Sequence, residues 1–121
     1  MAFESGTLSV VTTVDATPFA APIISIAPDS TVKLVILVAA RATDGTSAGW
    51  QITRTIKRIG TASAVTVGTA ITPLTEKDAG ALAWNVSVSI NVSGIAVDLT
   101  FTGGAATTIG WAIQYFALTN P

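Results

Sequence analysis

The chain has 121 residues, a formal net charge of -1, 50% hydrophobic and only 11% charged residues. That length suits one domain with a real core, and that charge gives no basic footprint for nucleic acid. An average soluble domain is about 25% charged, so six basic and seven acidic side chains cover the surface thinly, and part of it is expected to lie in subunit contacts, which carry fewer charges.

In chain order, residues 7–14 are rich in β-branched residues and read as a first strand. Asp15-Ala16-Thr17-Pro18 ends it, because proline cannot donate to a ladder and biases its predecessor. Phe19 to Ile26 is a second strand, demoted to an edge or a bulge by Pro22. Ala27-Pro28-Asp29-Ser30 is a turn. Thr31 to Ala42 is the most apolar run, so near-continuous that both its faces are expected to be covered, one by the core and one by something else. The loop of residues 43–49 carries an Asp-Gly turn signal. Trp50 to Ile59 is a fourth strand with Trp50, Ile52 and Ile56 on one face. Arg54 shares that face, which demands a bulge or a place near the sheet's rim. Ala62 to Thr69 makes a fifth strand, and Ile71 to Ala81 is the longest polar connection.

From Leu82 onward the period of two is clearest. Leu82, Trp84, Val86, Val88 and Ile90 alternate with small polar residues. So do Ile95, Val97, Leu99 and Phe101, and then, after Gly103-Gly104-Ala105-Ala106, Ile109, Trp111, Ile113 and Tyr115. A period of two places alternate side chains on opposite faces of a strand. This segment is expected to be an antiparallel meander whose apolar face is covered chiefly by Thr31 to Ala42 and Trp50 to Ile59. About eight short strands with turn signals between them make an all-β fold: a single-domain antiparallel β-sandwich, jelly-roll-like. Residues 1–6 are expected as an N-terminal arm and residues 119–121 as a C-terminal tail.

The chemistry open to the chain is narrow. It has no histidine and no cysteine, which removes Ser-His and Cys-His nucleophile pairs, imidazole acid–base work and thiolate chemistry. No Gly-Lys-Ser/Thr phosphate loop is present, and Gly103-Gly104 lies between two strands rather than before a helix. Of the acids, Glu4, Asp15, Asp29, Asp44, Glu76 and Asp78 fall in predicted turns or near a terminus. Asp98 lies on a strand's polar face, and none sits in an aromatic and polar cluster of the kind a sugar subsite requires. Asp44 and the Glu76-Lys77-Asp78 loop lack the dense oxygen spacing of a calcium site. The chain therefore reads as non-enzymatic, with no catalytic, cofactor-binding or metal residues. Trp50, Trp84 and Trp111 are in phase with apolar neighbours and read as core rather than as sugar platforms. Asn85-Val86-Ser87 and Asn91-Val92-Ser93 fit the glycosylation pattern but sit in or beside a strand, and the N-terminus lacks a secretory signal. The best candidate span, Leu34 to Ala40, is far short of the roughly 20 apolar residues a membrane helix needs. Neither membrane nor nucleic acid is expected as a partner.

A series of short motifs recurs in order: Asp15-Ala16-Thr17-Pro18; Val38-Ala39-Ala40-Arg41-Ala42-Thr43-Asp44-Gly45 with Ala48-Gly49-Trp50; Arg58-Ile59-Gly60-Thr61-Ala62; Val67-Gly68-Thr69; Ala83-Trp84-Asn85-Val86; and Gly103 to Trp111. The series resembles a small β-domain of tailed-bacteriophage structural proteins, found at the ends of tail fibres and as short stand-alone products. The resemblance spans most of the chain beyond residue 14 and carries over no catalytic or binding positions. It implies a virion component made in the host cytoplasm. A chain that starts at its own methionine and has no stalk fits a capsid decoration (cement) protein bound to the major capsid protein or another virion protein. In such families the oligomer is most often a homotrimer. The alternative it implies is a tail-fibre or baseplate piece that binds a host surface receptor or glycan.

Two groups of residues are interface candidates. One is the small, nearly uncharged strand face of Ala83, Asn85, Ser87 and Ser89 with Ala96, Thr100 and Thr102; the other is the basic group Arg54, Lys57 and Arg58, by default the charges of a solvated strand end and, as an interface, a contact for an acidic partner surface.

Overall fold

The period of two becomes two packed layers. The computed structural model describes residues 2–68 and 73–121. Nine strands form there: β1 (Ala2–Thr13), β2 (Phe19–Ser25), β3 (Ser30–Ala42), β4 (Ser47–Arg58), β5 (Val65–Thr66), β6 (Leu74–Lys77), β7 (Asn85–Ile90), β8 (Ala96–Thr102) and β9 (Ile109–Asn120). One sheet has six strands in the order β1-β9-β3-β4-β5, with β6 also on β4; the other has three, β2-β8-β7. Every strand pair is antiparallel. The fold is an all-β sandwich. Its first three strands alternate between the sheets and its last two do the same, whereas the β3–β4 hairpin stays within one sheet.

The core lies where the inner faces meet. Val32, Leu34, Ile36 and Val38 of β3 face Val97, Leu99 and Phe101 of β8, and all are buried. Burying each such side chain contributes about 1.5–3 kcal/mol. The three tryptophans are core, as their phase indicates. Trp111 is fully buried, with ring centroids 5.5 Å from Trp50, 6.2 Å from Trp84 and 5.3 Å from Phe101. Its indole Nε1 donates to Thr13 Oγ1 at 2.9 Å, so the one polar atom of this side chain is satisfied.

Several expectations need correction. The meander is not continuous, because β9 leaves β8 and pairs with β1 and β3 in the other sheet. The Gly103-Gly104 segment is thus a crossing between layers. A Cβ at Gly103 would stand 2.7 Å from Thr13 Oγ1 and 3.0 Å from the Asp15 carbonyl, so only glycine lets the chain pass so close to the β1–β2 turn. Leu82 and Ile95, counted with the apolar face, are exposed, because each precedes its strand. Ala96, counted with the polar face, is buried. The expected fifth strand shrinks to Val65–Thr66, and the polar connection contributes β6, which adds to β4. Thr69, Ile71 and Thr72 of those two expectations lie outside the described residues, as does Met1 of the arm. Residues 2–6 are not an arm: they pair with β9 from Ala2↔Thr119 onward. Thr119 and Asn120 belong to β9 rather than to a tail. On β3 the core covers one face. Among the described residues no layer lies above its other set, Thr31, Lys33, Val35, Leu37, Ala39 and Arg41, and Leu37 is 41% exposed.

Candidate interaction faces

Each sheet turns its second face outward, and the two faces differ. On the three-stranded sheet, β8 presents Asp98, Thr100 and Thr102. Cross-strand partners are Ser89, Ser87 and Asn85 of β7 on one side, with Pro22 and Ala20 of β2 opposite Asp98 and Thr100 on the other. The predicted small polar face therefore exists as one surface. Asn85, Ser87 and Ser89 are exposed, and Thr100 and Thr102 are half-buried. Ala83 is exposed in the turn just before β7. Asp98 is the sole charge among these strand positions.

The basic group is not brought together. Alternation along β4 turns Lys57 outward and Arg54 and Arg58 inward. Lys57 is exposed on the outer face of the large sheet. The β3–β4 register is unbroken through Leu34↔Arg54, so no bulge re-aims Arg54. It is half-buried on a strand whose side away from β3 carries the short β5 and β6, near the rim, and its guanidinium donates to the Thr53 carbonyl at 3.1 Å. Arg58 is a staple. Its Nε donates to the Ala62 carbonyl at 2.9 Å, Nη1 to Ile26 at 3.0 Å and Nη2 to Thr61 at 3.3 Å. One fixed fork of donors thus ties the turn after β2 to the turn after β4.

The acids are engaged in loops. Asp44 Oδ1 accepts the Thr46 N–H at 2.9 Å, and Asp78 Oδ2 accepts the Ser47 N–H at 2.9 Å. The Thr46 hydrogen bonds, chiefly that from the backbone, hold the Asp44 carboxyl below its ordinary pKa. Asp29 Oδ1 accepts the Gly60 N–H at 2.6 Å. Burial, with the nearby Glu4 carboxylate second, raises the Tyr115 phenol. That ring lies over Gly6, where a Cβ would stand 2.6 Å from the phenol oxygen. Lys77 Nζ donates to the Trp84 carbonyl at 2.5 Å and lies 5.7 Å from the Trp50 ring centroid. Among the described residues no three His, Cys, Asp or Glu side chains gather as a metal site, and no helix is long and apolar enough to cross a membrane.

The outer face of the six-stranded sheet was not singled out from sequence. It carries Leu37 and Ala39 of β3, Ala112 and Gln114 of β9, Gly49 and Gln51 of β4 and Leu74 and Glu76 of β6, around a hollow of about 580 Å³. Farther along, Phe3 stacks on Phe116 with ring centroids 6.4 Å apart, beside an exposed Leu118. The signal for this face was the unbroken apolar run of β3, which called for a second cover that the described residues do not supply. No protein-family model matches the chain, and no curated protein matches it.

Proposed function

We propose that the protein is a non-enzymatic virion structural protein, a capsid decoration protein that reinforces a phage shell. The observation that carries this reading is the small polar outer face of β7 and β8, with Asp98 as its one charge, on a chain with neither histidine nor cysteine. The resemblance of the ordered motifs to phage β-domains supplies the setting. The mechanism is additive contact. Each copy lays the small polar face of β7 and β8 across shell subunits, and binding only the assembled state raises shell stability by mass action. Serine, threonine and asparagine suit that task, because they stay hydrated on the free protein and form hydrogen bonds when the surface is covered. The tail-fibre alternative draws no support from the tryptophans, which are all in the core.

Two measurements test the reading. Electron microscopy of assembled particles is expected to place the chain on the shell. Particles lacking it are expected to lose DNA at lower temperature than complete ones. A location on the tail, or equal heat resistance, defeats the proposal.

A further inference from the structure

The uncovered face of the six-stranded sheet is built in rows that follow from the strand registers. Gln114, Leu37, Gln51 and Leu74 are successive cross-strand partners and form one row. Two residues along each strand, Ala112, Ala39, Gly49 and Glu76 form the next. The first row is a ridge that includes Leu37, 41% exposed, and Leu74, 69% exposed. The second consists of two alanines and a glycine with Glu76 at its end, and both rows line the hollow. The row of long side chains and the row of short ones lie side by side on the same strands.

Charge is also divided along the strand axis. The end of the sandwich that holds both chain termini has Lys33 and Lys57 on this face. The opposite end has Glu76 and, in the β3–β4 loop, Asp44, with Arg41 beside them. Around them, the acids Asp15 and Asp78 sit in the turns of that same opposite end, against Asp29 in the turn at the lysine end.

We infer that this face pairs with the same face of a second copy through a two-fold axis running across the strands between Leu37 and Ala39. A two-fold contact is self-complementary, so whatever one copy offers the other must receive. An axis along the strands lays ridge on ridge and the lysine end on the lysine end. An axis across the strands keeps each strand over its counterpart but reverses its direction. Leu37 then sits over the partner copy's Ala39 position, Gln51 over Gly49 and Gln114 over Ala112. The same rotation carries Lys33 and Lys57 over the loop that holds Asp44. Steric fit and charge thus select the same axis independently.

The area is sufficient. Four strand columns at ~4.8 Å spacing, overlapping for about nine residues at ~3.3 Å each, and the short β6 beyond them give roughly 630 Å² per copy. A stable interface buries about 800 Å² per partner, with a spread of about 200 Å². The pair is a dimer, in place of the trimer that the sequence resemblance implies, and it leaves the β7–β8 faces pointing away on both sides.

The test is the solution mass by sedimentation equilibrium at micromolar concentration. The protein is expected at twice its 12.3 kDa chain mass. Leu37→Lys and Ala39→Glu, both at exposed positions, are each expected to give the single-chain mass while the circular dichroism and melting remain those of a folded sandwich. Lys57→Glu is expected to raise the dissociation constant roughly fivefold at low salt, a rim-charge effect of about 1 kcal/mol. If that variant binds itself more tightly, the axis runs the other way and the proposal fails. A monomeric or trimeric wild-type mass overturns it. So does a dimer untouched by both Leu37→Lys and Ala39→Glu, or a monomer whose attachment to shells is lost with Leu37→Lys.

Discussion

The two outer faces obey the same period of two and sit on the same core, yet they suit different partners. On the six-stranded sheet the outward set includes Phe3, Leu37, Leu74 and Leu118, each between 41% and 69% exposed. On the three-stranded sheet it includes Asn85, Ser87, Ser89, Thr100 and Thr102, with Ala20, Pro22 and the single charge of Asp98. A contiguous apolar surface is unfavourable in water at every moment and marks a lasting contact. Hydroxyls and amides are satisfied by water until a partner replaces it. The alternation decides that there are two faces. In the proposed reading, the chemistry of the outward set assigns one to lasting burial and the other to a surface that exists only after assembly.

The strongest way to break this comparison is to remove what both faces share. Trp111→Ala empties the contact with Trp50, Trp84 and Phe101 and is expected to destabilise the fold by about 3–5 kcal/mol. Urea unfolding of the dispersed protein measures it, and both faces are expected to fail together. Thr13→Val keeps the shape but strands the buried indole N–H of Trp111, at a cost of about 1–2 kcal/mol. Thr13→Ser restores the acceptor and is expected to recover most of that loss. Arg58→Ala releases three carbonyls at the end nearest the termini and is expected to cost about 1–2 kcal/mol, less than the tryptophan because water reaches the loops.

What could be read from the sequence divides along the same physical line. The strands of β3, β4, β7, β8 and β9 were legible, because alternation is a local property and Leu34-Ile36-Val38 or Val97-Leu99-Phe101 declare it in a few residues. The polar set Ser87, Ser89, Thr100 and Thr102 was legible as a single face for that reason. Strand β6 was not: Leu74-Thr75-Glu76-Lys77 has little apolar content, and its pairing with β4 is long-range. Nor was the crossing of β9, because a glycine turn between strands looks the same whether the chain returns to its own sheet or enters the other. Arg58 looked like a solvated charge, since its carbonyl partners come from turns that only the fold brings near. The large apolar face was half legible, because the continuous run in β3 required two covers and the described residues provide one.

A smaller effect sharpens the comparison without touching the core. Ser87→Lys and Thr100→Lys put bulk and charge on the three-stranded face at exposed and half-buried sites. Each is expected to change stability by less than about 0.5 kcal/mol. Each should leave the solution mass unchanged and lower the number of copies bound per shell, read by densitometry of purified particles. A changed mass with unchanged shell binding would exchange the roles of the two faces.

The smallest expected effect is on pH. The Asp44 carboxyl is held below its ordinary pKa, first by the backbone N–H of Thr46. A carboxyl whose folded pKa is depressed binds its proton more readily in the unfolded chain, so unfolding takes up protons as the pH falls. The contribution is therefore complete above the unfolded value of about 3.9 and is lost as pH drops through the lower folded value. The side chain is fully solvated, so the effect is confined to the β3–β4 loop and is slight. Comparing wild type with Asp44→Ala in urea at pH 6 and again near pH 3 measures it. The two proteins are expected to differ at the higher pH and to converge at the lower. The same loop lies under Lys33 and Lys57 of the second copy in the paired arrangement. Dimer dissociation is therefore expected to rise in the same acid window, and a dimer indifferent to pH there would remove Asp44 from the contact while leaving the apolar ridge and hollow to carry it.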